Sequence, residues 1–389
     1  MKFFEKSAMM IVGGDTVTLI EFYDEAPIEN IVGCFKMKPE KVIFLGHNLQ
    51  RANQQEKIYR TLFERHGFQI KIEFVQIDFS TVTQIADVIR SILRENEECV
   101  IDCTGGGELE LIAVGIVAAE ERRKVPLHIH STDIVSGRIF DCDNPHCIPQ
   151  YENAYLSVDD SILLHGGRAQ LDFNFHAEDM LAHEADMRGM WDICRENAEQ
   201  WNTAVSRLHS PNVTRSVIAR STVLKKLVSN GFLKIYTEGN ELQIRYKTDL
   251  VKRCLKTSGR LLELMVCLLA AKANRFADIK SDVHIDWEYQ DEKENVDNEI
   301  DVILMRGLCP IYISCKNGRV NDNEIYKLNA VANRFGGKYV KKVLIVTDAD
   351  RIEGSSRKLI SRAQAMGIEV VANFGKKSQK ALNNWFLEI

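Results

Sequence analysis

One stretch, CVIDCTGGG at residues 99–107, decides how the N-terminal part of the chain folds. Its first five residues are mostly apolar, which is typical of a buried parallel strand. A glycine run follows, and Glu108–Arg123 then predicts a helix that begins acidic and ends basic, as the helix dipole favours. A strand, a glycine loop and a helix in this order are one unit of an α/β sheet.

The same alternation continues on both sides of this unit. Further strands are predicted at Lys41–Gly46, Ile70–Ile77 and Pro126–His130, and amphipathic helices at Gln54–His66 and Val82–Arg94. Strands that alternate with helices at these lengths predict a mostly parallel, doubly wound sheet.

Two loops fall at the carboxyl ends of the predicted strands, where such sheets bind ligands. They are Gly46–Arg51 and Thr104–Gly107. Glycines expose backbone N–H groups to an anion next to a helix N-terminus, but a tight turn would also require them, and both interpretations stay open. The chain lacks the GxGxxG and GK[ST] patterns, so we expect neither a dinucleotide fingerprint nor a Walker loop.

The strand that ends in Asp102-Cys103-Thr104-Gly105-Gly106-Gly107 and the long apolar helix after it resemble the CARF domains of CRISPR-associated proteins, over residues 1–165. The resemblance implies a Rossmann-like dimer whose two pockets together hold a cyclic oligoadenylate. It also implies that the Thr104–Gly107 loop contacts phosphate and ribose. The residues implied to line the same groove are Gly46, His47 and Asn48, with Ser131, Thr132 and Asp133 as further candidates.

The middle segment, residues 166–255, resembles a winged helix. Thr214–Asn230 has helical periodicity, and Phe232–Tyr236 and Glu241–Tyr246 alternate around Gly239-Asn240 as a hairpin does. One interpretation is DNA recognition through Arg215, Arg220, Lys225 and Lys226. The other is a linker and dimer spacer, which we favour because no arginine-rich wing tip is present.

The last third, residues 256–389, is predicted to have the element order α-β-β-β-α-β. A long apolar helix spans Gly259–Phe276 and contains Glu263, whose burial requires a partner or a metal. Strands follow at Val283–Trp287, Glu299–Arg306 and Pro310–Lys316. A helix at Asn323–Phe335 and a strand at Lys342–Asp348 complete the order.

This order resembles the core of PD-(D/E)xK nucleases. The resemblance implies that Glu263 and Asp301 bind Mn²⁺ or Mg²⁺ and that Lys316 is the catalytic lysine. Glu299 lies on the same strand face as Asp301 because side chains alternate, and is expected to assist. Carboxylates suit hard divalent cations, and a nearby lysine can orient or deprotonate water and stabilise charge on the phosphate.

The chain departs from the family pattern at one position. Ser314 stands where the family has an acid two residues before the lysine, so the site is one carboxylate short. Glu299, Glu263 or Glu324 would compensate, as would the backbone carbonyl near Cys315. A weakened or inactive nuclease is the alternative. Basic residues around the core are expected to contact phosphates: Arg319, Lys327, Arg334, Lys338, Lys341 and Lys342.

The 389 residues predict two or three domains, and their charge is unevenly distributed. The net charge of -5 combines -10 over the first 250 residues with +5 over the remainder. Within the positive part, residues 282–301 contain nine acids and one lysine, which suggests a metal site facing a polyanion. The ligand of the acidic N-terminal part must then be held by local backbone groups.

Ten scattered cysteines without a CxxC pattern indicate reduced thiols and a cytoplasmic protein. We expect no signal peptide and no transmembrane helix. Cys142–Cys147 (CDNPHC) lacks a second ligand pair at zinc-finger spacing, and an ordinary loop is expected there.

Taken together, the chain resembles CRISPR-ancillary effectors that join a CARF sensor to a PD-(D/E)xK nuclease. This implies a homodimer that is activated by cyclic tetra-adenylate and cuts single-stranded DNA, RNA or both. Two alternatives remain: a ligand-controlled DNA-binding regulator with a decayed nuclease, and a ring nuclease that degrades cyclic oligoadenylate.

Overall fold

The computed structural model describes most of the chain. The described ranges are 17–47, 49–77, 81–121, 127–142, 154–171, 177–210, 214–238, 241–287, 297–318, 320–348 and 356–389. Within them, no helix combines the length and the apolar character that a membrane crossing requires.

The first sheet has six strands in the spatial order β3-β2-β1-β4-β5-β6. Five of them run parallel, and only β6 is antiparallel, paired with β5. The strands are β1 (Val17–Phe22), β2 (Lys41–Gly46), β3 (Lys71–Gln76), β4 (Glu98–Asp102), β5 (Leu127–Asp133) and β6 (Arg138–Asp141). This is the predicted doubly wound sheet, with a central strand, β1, and an edge strand, β6, that were not predicted.

Helices cover both faces of this sheet. They are α1 (Pro27–Met37), α2 (Leu49–Arg65), α3 (Val82–Glu95) and α4 (Glu108–Glu121). Because side chains alternate along a strand, Leu19 packs with α1 and α2 while its neighbour Ile20 packs with α3 and α4. The strand order reverses between β1 and β4, so a ligand crevice is expected beyond their carboxyl ends.

A short connection joins the first sheet to the second sheet. The first sheet and its helices α1–α4 are called the sensor below, after the resemblance to CARF domains. It consists of α5 (Val158–Leu164), which has a capping box at Ser157 and Asp160, and β7 (Arg168–Leu171). β7 pairs antiparallel with a strand far along the chain, so that Ala169 lies opposite Ile285. Part of the segment predicted as a linker therefore belongs to the second sheet, as its edge strand β7.

The middle segment is helical and ends in a hairpin. Its elements are α6 (Ala177–Ala182), α7 (Glu184–Glu196), α8 (Ala198–Leu208), α9 (Arg215–Arg220), α10 (Thr222–Ser229), β8 (Leu233–Glu238), β9 (Glu241–Tyr246) and α11 (Asp249–Cys254). The helical periodicity predicted over Thr214–Asn230 is confirmed, but it is divided into α9 and α10. Ser221 has extended backbone and its hydroxyl accepts from Leu224 N, which starts a new helix. The hairpin pairing is confirmed, and its turn lies outside the described residues.

The second sheet has the order β14-β13-β12-β11-β10-β7. Its elements are α12 (Arg260–Ala273), β10 (Asp278–Asp286), β11 (Asp297–Arg306), β12 (Cys309–Lys316), α13 (Asp322–Gly336), β13 (Lys341–Val346), α14 (Ser356–Ala365), β14 (Ile368–Val371) and α15 (Gln379–Glu388). The predicted α-β-β-β-α-β order is therefore present from α12 to β13.

The second sheet is covered on both faces. The middle helices pack with α12 and α15 on one face, in a single hydrophobic core. On the other face α5 and α13 join a core that continues into α1 and α2 of the sensor. The proposed boundaries at residues 165 and 255 thus separate segments that share cores, and they stay a prediction.

Candidate nuclease centre and ligand pocket

Asp301 and Lys316 meet across two paired strands of the second sheet. Asp301 Oδ2 accepts hydrogen bonds from Cys315 N at 2.6 Å, Ser314 Oγ at 3.1 Å and Lys316 Nζ at 3.4 Å. The β11–β12 pairing produces this contact because it brings the middle of β11 beside the end of β12. Ser314 stands where the family pattern has an acid. In this chain it donates a hydrogen bond to the carboxylate of Asp301 instead.

Lys316 lies between two carboxylates. Its Nζ is also 3.1 Å from Glu324 Oε2, on the first turn of α13. Burial alone would lower the pKa of Lys316, but Asp301 and Glu324 outweigh burial and raise it to about 12. The lysine is therefore positively charged at neutral pH.

An open pocket of about 70 Å³ lies over this pair. Its wall combines acidic and basic side chains with one hydroxyl, from β11, β12 and α13. The polar lining residues are Glu299, Asp301, Ser314, Lys316, Glu324 and Lys327. Of the sequence-predicted catalytic residues, Glu299, Asp301 and Lys316 are therefore together in one pocket.

Glu263 is placed differently from the other predicted metal ligands. It is buried on α12, its Oε2 lies 2.7 Å from Arg260 Nη1, and it is not among the residues that line the pocket. Burial raises the pKa of Glu263 to about 8, in spite of Arg260. Arg260 Nη2 also lies 2.6 Å from Asp282 Oδ2. Arg260 therefore lies between Glu263 and Asp282 and offsets their negative charge. This role of Arg260 was not expected from the sequence.

Asp282, His284 and Glu299 form a second group of ligand types beside Asp301. Their ligand atoms all lie within 4.8 Å of one another. Burial and nearby Asp301 raise the pKa of Glu299. Asp282 stands between residues paired with Ile300 and Val302, and its positive φ of 60° departs from strand geometry. Asp282 and His284 are two residues apart on β10, as Glu299 and Asp301 are on β11. This spacing was the sequence signal for the group, but Asp282 and His284 were not predicted.

The backbone N–H of Cys315 donates to Asp301. Metal binding by the backbone carbonyl near Cys315 stays a prediction. Several lysines and arginines expected at phosphates are engaged within the protein: Lys342 with Asn329, Arg334 with the carbonyl of His165, and Lys341 with Glu369. Lys327 lines the pocket, and Arg319 lies outside the described residues.

The loops after β2 and β4, the two neighbours of β1, lie close together. His47, after β2, lies with its Nε2 2.6 Å from Glu110 Oε1 on the first turn of α4. The predicted loops Gly46–His47 and Thr104–Gly107 therefore meet at one edge of the sheet. Asn48 lies outside the described residues. The segment Tyr23–Ala26, between β1 and α1, also lies beside these loops, and it was not among the residues predicted to line the ligand groove.

Glycine is required in the loop between β4 and α4. Gly106 has a positive φ of 95°, and a Cβ there would lie 2.9 Å from Phe22 Cβ. A Cβ on Gly105 would lie 3.1 Å from Phe22 O and 3.7 Å from Glu29 Cβ. The loop therefore packs closely against the end of β1 and the start of α1, which confirms the tight-turn interpretation. Anion binding by the same loop stays a prediction.

Asp102 holds this loop from below. Its Oδ1 accepts from Thr104 N at 2.8 Å and from Thr104 Oγ1, and Thr104 Oγ1 accepts from Thr132 N at 2.8 Å. Glu21 lies beside Asp102 in the β1–β4 register, fully buried, with no hydrogen-bond partner among the described residues. Burial raises the pKa of Asp102 to about 6 and that of Glu21 well above its usual range, with Asp102 adding to the second shift.

A buried carboxylate connects the sensor to the nuclease part. Glu29 on α1 accepts hydrogen bonds from Lys338 Nζ at 2.8 Å and from Tyr339 Oη. Since Glu29 also lies behind Gly105, one side chain borders the sensor loop and contacts the segment that leads into β13.

Comparison with known proteins agrees with this geometry. Residues 251–389 match the family model described as Card1-like, endonuclease domain. Asp301 and Lys316 both lie within this matched region. No curated protein matches the sequence.

Three solved structures share the fold. Protein VC1899 from Vibrio cholerae has a TM-score of 0.73 and 16% identity, covering 95% of this chain and 98% of its own. Can2 from Sulfobacillus thermosulfidooxidans, in complex with cyclic tetra-adenylate, has a TM-score of 0.66 and 16% identity, covering 95% and 97%. A type III CRISPR defence DNA nuclease activated by cyclic oligoadenylate has a TM-score of 0.50 and 11% identity, covering 88% of this chain and 47% of that one. These likenesses show a shared overall fold.

Proposed function

We propose that the protein is a metal-dependent nuclease, activated by cyclic tetra-adenylate, that cuts single-stranded DNA, RNA or both in type III CRISPR antiviral defence. The pocket that joins Asp301, Lys316 and Glu299 within the Card1-like region carries this proposal. The glycine loop at the strand-order reversal of the sensor sheet supports a cyclic oligoadenylate as activator, as does the fold shared with Can2.

The acidic groups fit a divalent cation, Mn²⁺ or Mg²⁺. Asp301 and Glu299 would hold it, with Asp282 and His284 beside them, while Glu263 supplies negative charge from behind. Burial raises the pKa of both Glu299 and Glu263, so an additional positive charge would stabilise their ionised forms. When bound, such a cation lowers the pKa of water and neutralises charge on the scissile phosphate.

Lys316 has the role of an orienting and charge-stabilising group. Because its pKa is raised to about 12, it retains its proton at neutral pH and is a poor general base. The ammonium can donate to an attacking water and to a phosphate oxygen that gains negative charge in the transition state. Lys327, on the same pocket wall, is placed to bind the neighbouring phosphate of the strand.

Backbone groups hold the anionic ligand in the sensor. The Thr104–Gly107 loop precedes the N-terminus of α4, where N–H groups and the helix dipole favour phosphate. Glu110 on the first turn of α4 would repel a phosphate, and its contact with His47 reduces that repulsion when the imidazole is protonated.

The homodimer is proposed to form through α4. Leu109, Ile112 and Ile116 form an apolar stripe at helical spacing, and they are 38%, 53% and 40% exposed. Since α4 begins directly after the glycine loop, pairing of two α4 helices would bring two sensor pockets together around one ring. Binding across both subunits can then supply the several kcal/mol of differential affinity that strong activation requires.

Cleavage of labelled nucleic acids tests this function. Single- and double-stranded DNA and RNA are incubated with Mn²⁺, with and without cyclic tetra-adenylate. We expect ligand-dependent cleavage of a single-stranded substrate that Asp301→Ala and Lys316→Ala each reduce by at least about a hundredfold. Lys341→Gln, which removes an ion pair away from the pocket, is the matched control. If no substrate is cut under any of these conditions, the proposal is wrong.

The His47–Glu110 pair favours a second candidate, a ring nuclease. A histidine beside a carboxylate in the ligand pocket is a possible general base for attack on a ring phosphodiester. This activity predicts that cyclic tetra-adenylate is shortened by the Asp301→Ala protein and left intact by a His47→Ala protein. Chromatography of the nucleotide after incubation distinguishes the two functions.

A further inference from the structure

The edge of the sensor sheet carries a second group of metal-ligand types, far along the chain from the nuclease residues. His128 and His130 are two residues apart on β5, so their side chains lie on the same face. Asp141 on β6 is the cross-strand partner of His130. The ligand atoms of the three residues all lie within 4.8 Å of one another.

The surroundings suit a metal ligand more than a surface ion pair. His130 is only 2% exposed, and His128 and Asp141 are half-buried.

The donor set distinguishes this group from the nuclease centre. Two imidazole nitrogens and one carboxylate are typical of Zn²⁺, whereas Mg²⁺ prefers oxygen ligands. The run Cys142–Cys147, where an ordinary loop is expected, follows Asp141 directly, and its residues after Cys142 lie outside the described part of the chain. In the structure β5 offers two histidines next to the start of that run.

We propose that His128, His130 and Asp141 bind a Zn²⁺ ion that fixes the edge strand β6 to β5. β6 has four residues and pairs antiparallel with β5 at the edge of the described sheet, so a metal link would oppose its separation. The effect reaches the ligand pocket, because Thr132 N on β5 donates to Thr104 Oγ1 in the glycine loop. The site is thus structural, and it does not depend on the nuclease activity.

Zinc binding to the full-length chain tests the proposal. All variants are made in a His284→Gln background, which removes the imidazole of the nuclease centre. Protein stripped with a chelator is titrated with Zn²⁺ in millimolar Mg²⁺, and bound zinc and thermal unfolding are measured. We expect one Zn²⁺ per chain at β5–β6 and a higher Tm. The variants His128→Gln and Asp141→Asn should weaken zinc binding at least about tenfold and abolish the Tm increase.

Two controls make the outcome decisive. Both substituted positions are half-buried, so circular dichroism of the zinc-free proteins checks that they fold like their parent. The parent with Glu299→Gln added should retain the zinc and its Tm increase. If His128→Gln and Asp141→Asn bind zinc as tightly as the parent, or if Glu299→Gln removes the zinc instead, the proposal is overturned.

Discussion

Ser314 determines how much negative charge the nuclease pocket carries. Its hydroxyl donates to Asp301 Oδ2, so an acid there would stand directly beside an existing carboxylate. We expect Ser314→Asp to lower the Tm of metal-free protein through repulsion, and to bind Mn²⁺ roughly tenfold more tightly because the site gains a ligand charge. Thermal unfolding with and without Mn²⁺ measures both effects. The matched control is Ser314→Asn, and equal Mn²⁺ dependence in the two variants would contradict the prediction.

Glu21 makes the stability of the sensor dependent on pH. Its folded-state pKa is raised by burial and by Asp102, so the folded chain keeps a proton that the unfolded chain releases. This contribution to stability is present at acid pH and is lost as the pH rises from about 4.5 towards the folded-state pKa. We expect Glu21→Gln to match wild type near pH 5 and to exceed its Tm at pH 8. A constant Tm difference over this range would argue against a protonated Glu21.

At the scale of elements, α4 combines a buried face with an exposed apolar face. We expect Ile112→Asp to weaken the proposed dimer by roughly thirtyfold or more, because a charge would be buried in the interface. Sedimentation velocity measures the monomer fraction, and Ile112→Leu, which keeps the apolar surface, is the control. A dimer that Ile112→Asp leaves intact would place the subunit contact on another surface.

Local patterns predicted most of the described strands but fewer than half of the described helices, and three of the differences have clear physical reasons. β1 was missed because Glu21 interrupts its apolar run, and burial of that acid depends on tertiary packing. The predicted helix over Thr214–Asn230 is broken because the Ser221 hydroxyl caps the second half. Pairing of β7 with β10 joins residues more than a hundred positions apart, and no local pattern contains that information.

The nuclease residues were predictable in type and less so in arrangement. Spacing and element order were sufficient to bring Glu299, Asp301 and Lys316 into one pocket. The Arg260 side chain that binds both Glu263 and Asp282 was missed, because its contact to β10 exists only after α12 packs on the sheet. Which carboxylates face the pocket thus depends on tertiary ion pairs.

At the scale of the whole molecule, Glu29 is expected to transmit ligand binding to the nuclease. It borders the glycine loop at Gly105 and accepts from Lys338 and Tyr339. We expect Glu29→Gln to leave basal cleavage nearly unchanged and to reduce the ratio of activated to basal rate by roughly fivefold. Cleavage rates and ligand affinity are measured together.

The controls for Glu29 separate coupling from stability. Lys338→Gln should reproduce the effect because it removes the other side of the contact, whereas Lys341→Gln breaks a pair within the nuclease sheet and should not. An activation ratio that neither Glu29→Gln nor Lys338→Gln alters would show that coupling uses another route.

The strand β7 has a consequence for how the catalytic part can be separated or exchanged. Because Arg168–Leu171 completes the sheet along β10, a fragment that begins at residue 251 would expose an unpaired edge of β10 and aggregate. A fragment of residues 154–389 keeps that strand together with α5, and we expect it to aggregate less in gel filtration than the fragment that begins at residue 251. The segment that is transferred to another protein as the catalytic part should therefore be longer than residues 251–389. We expect it to require a start before α5.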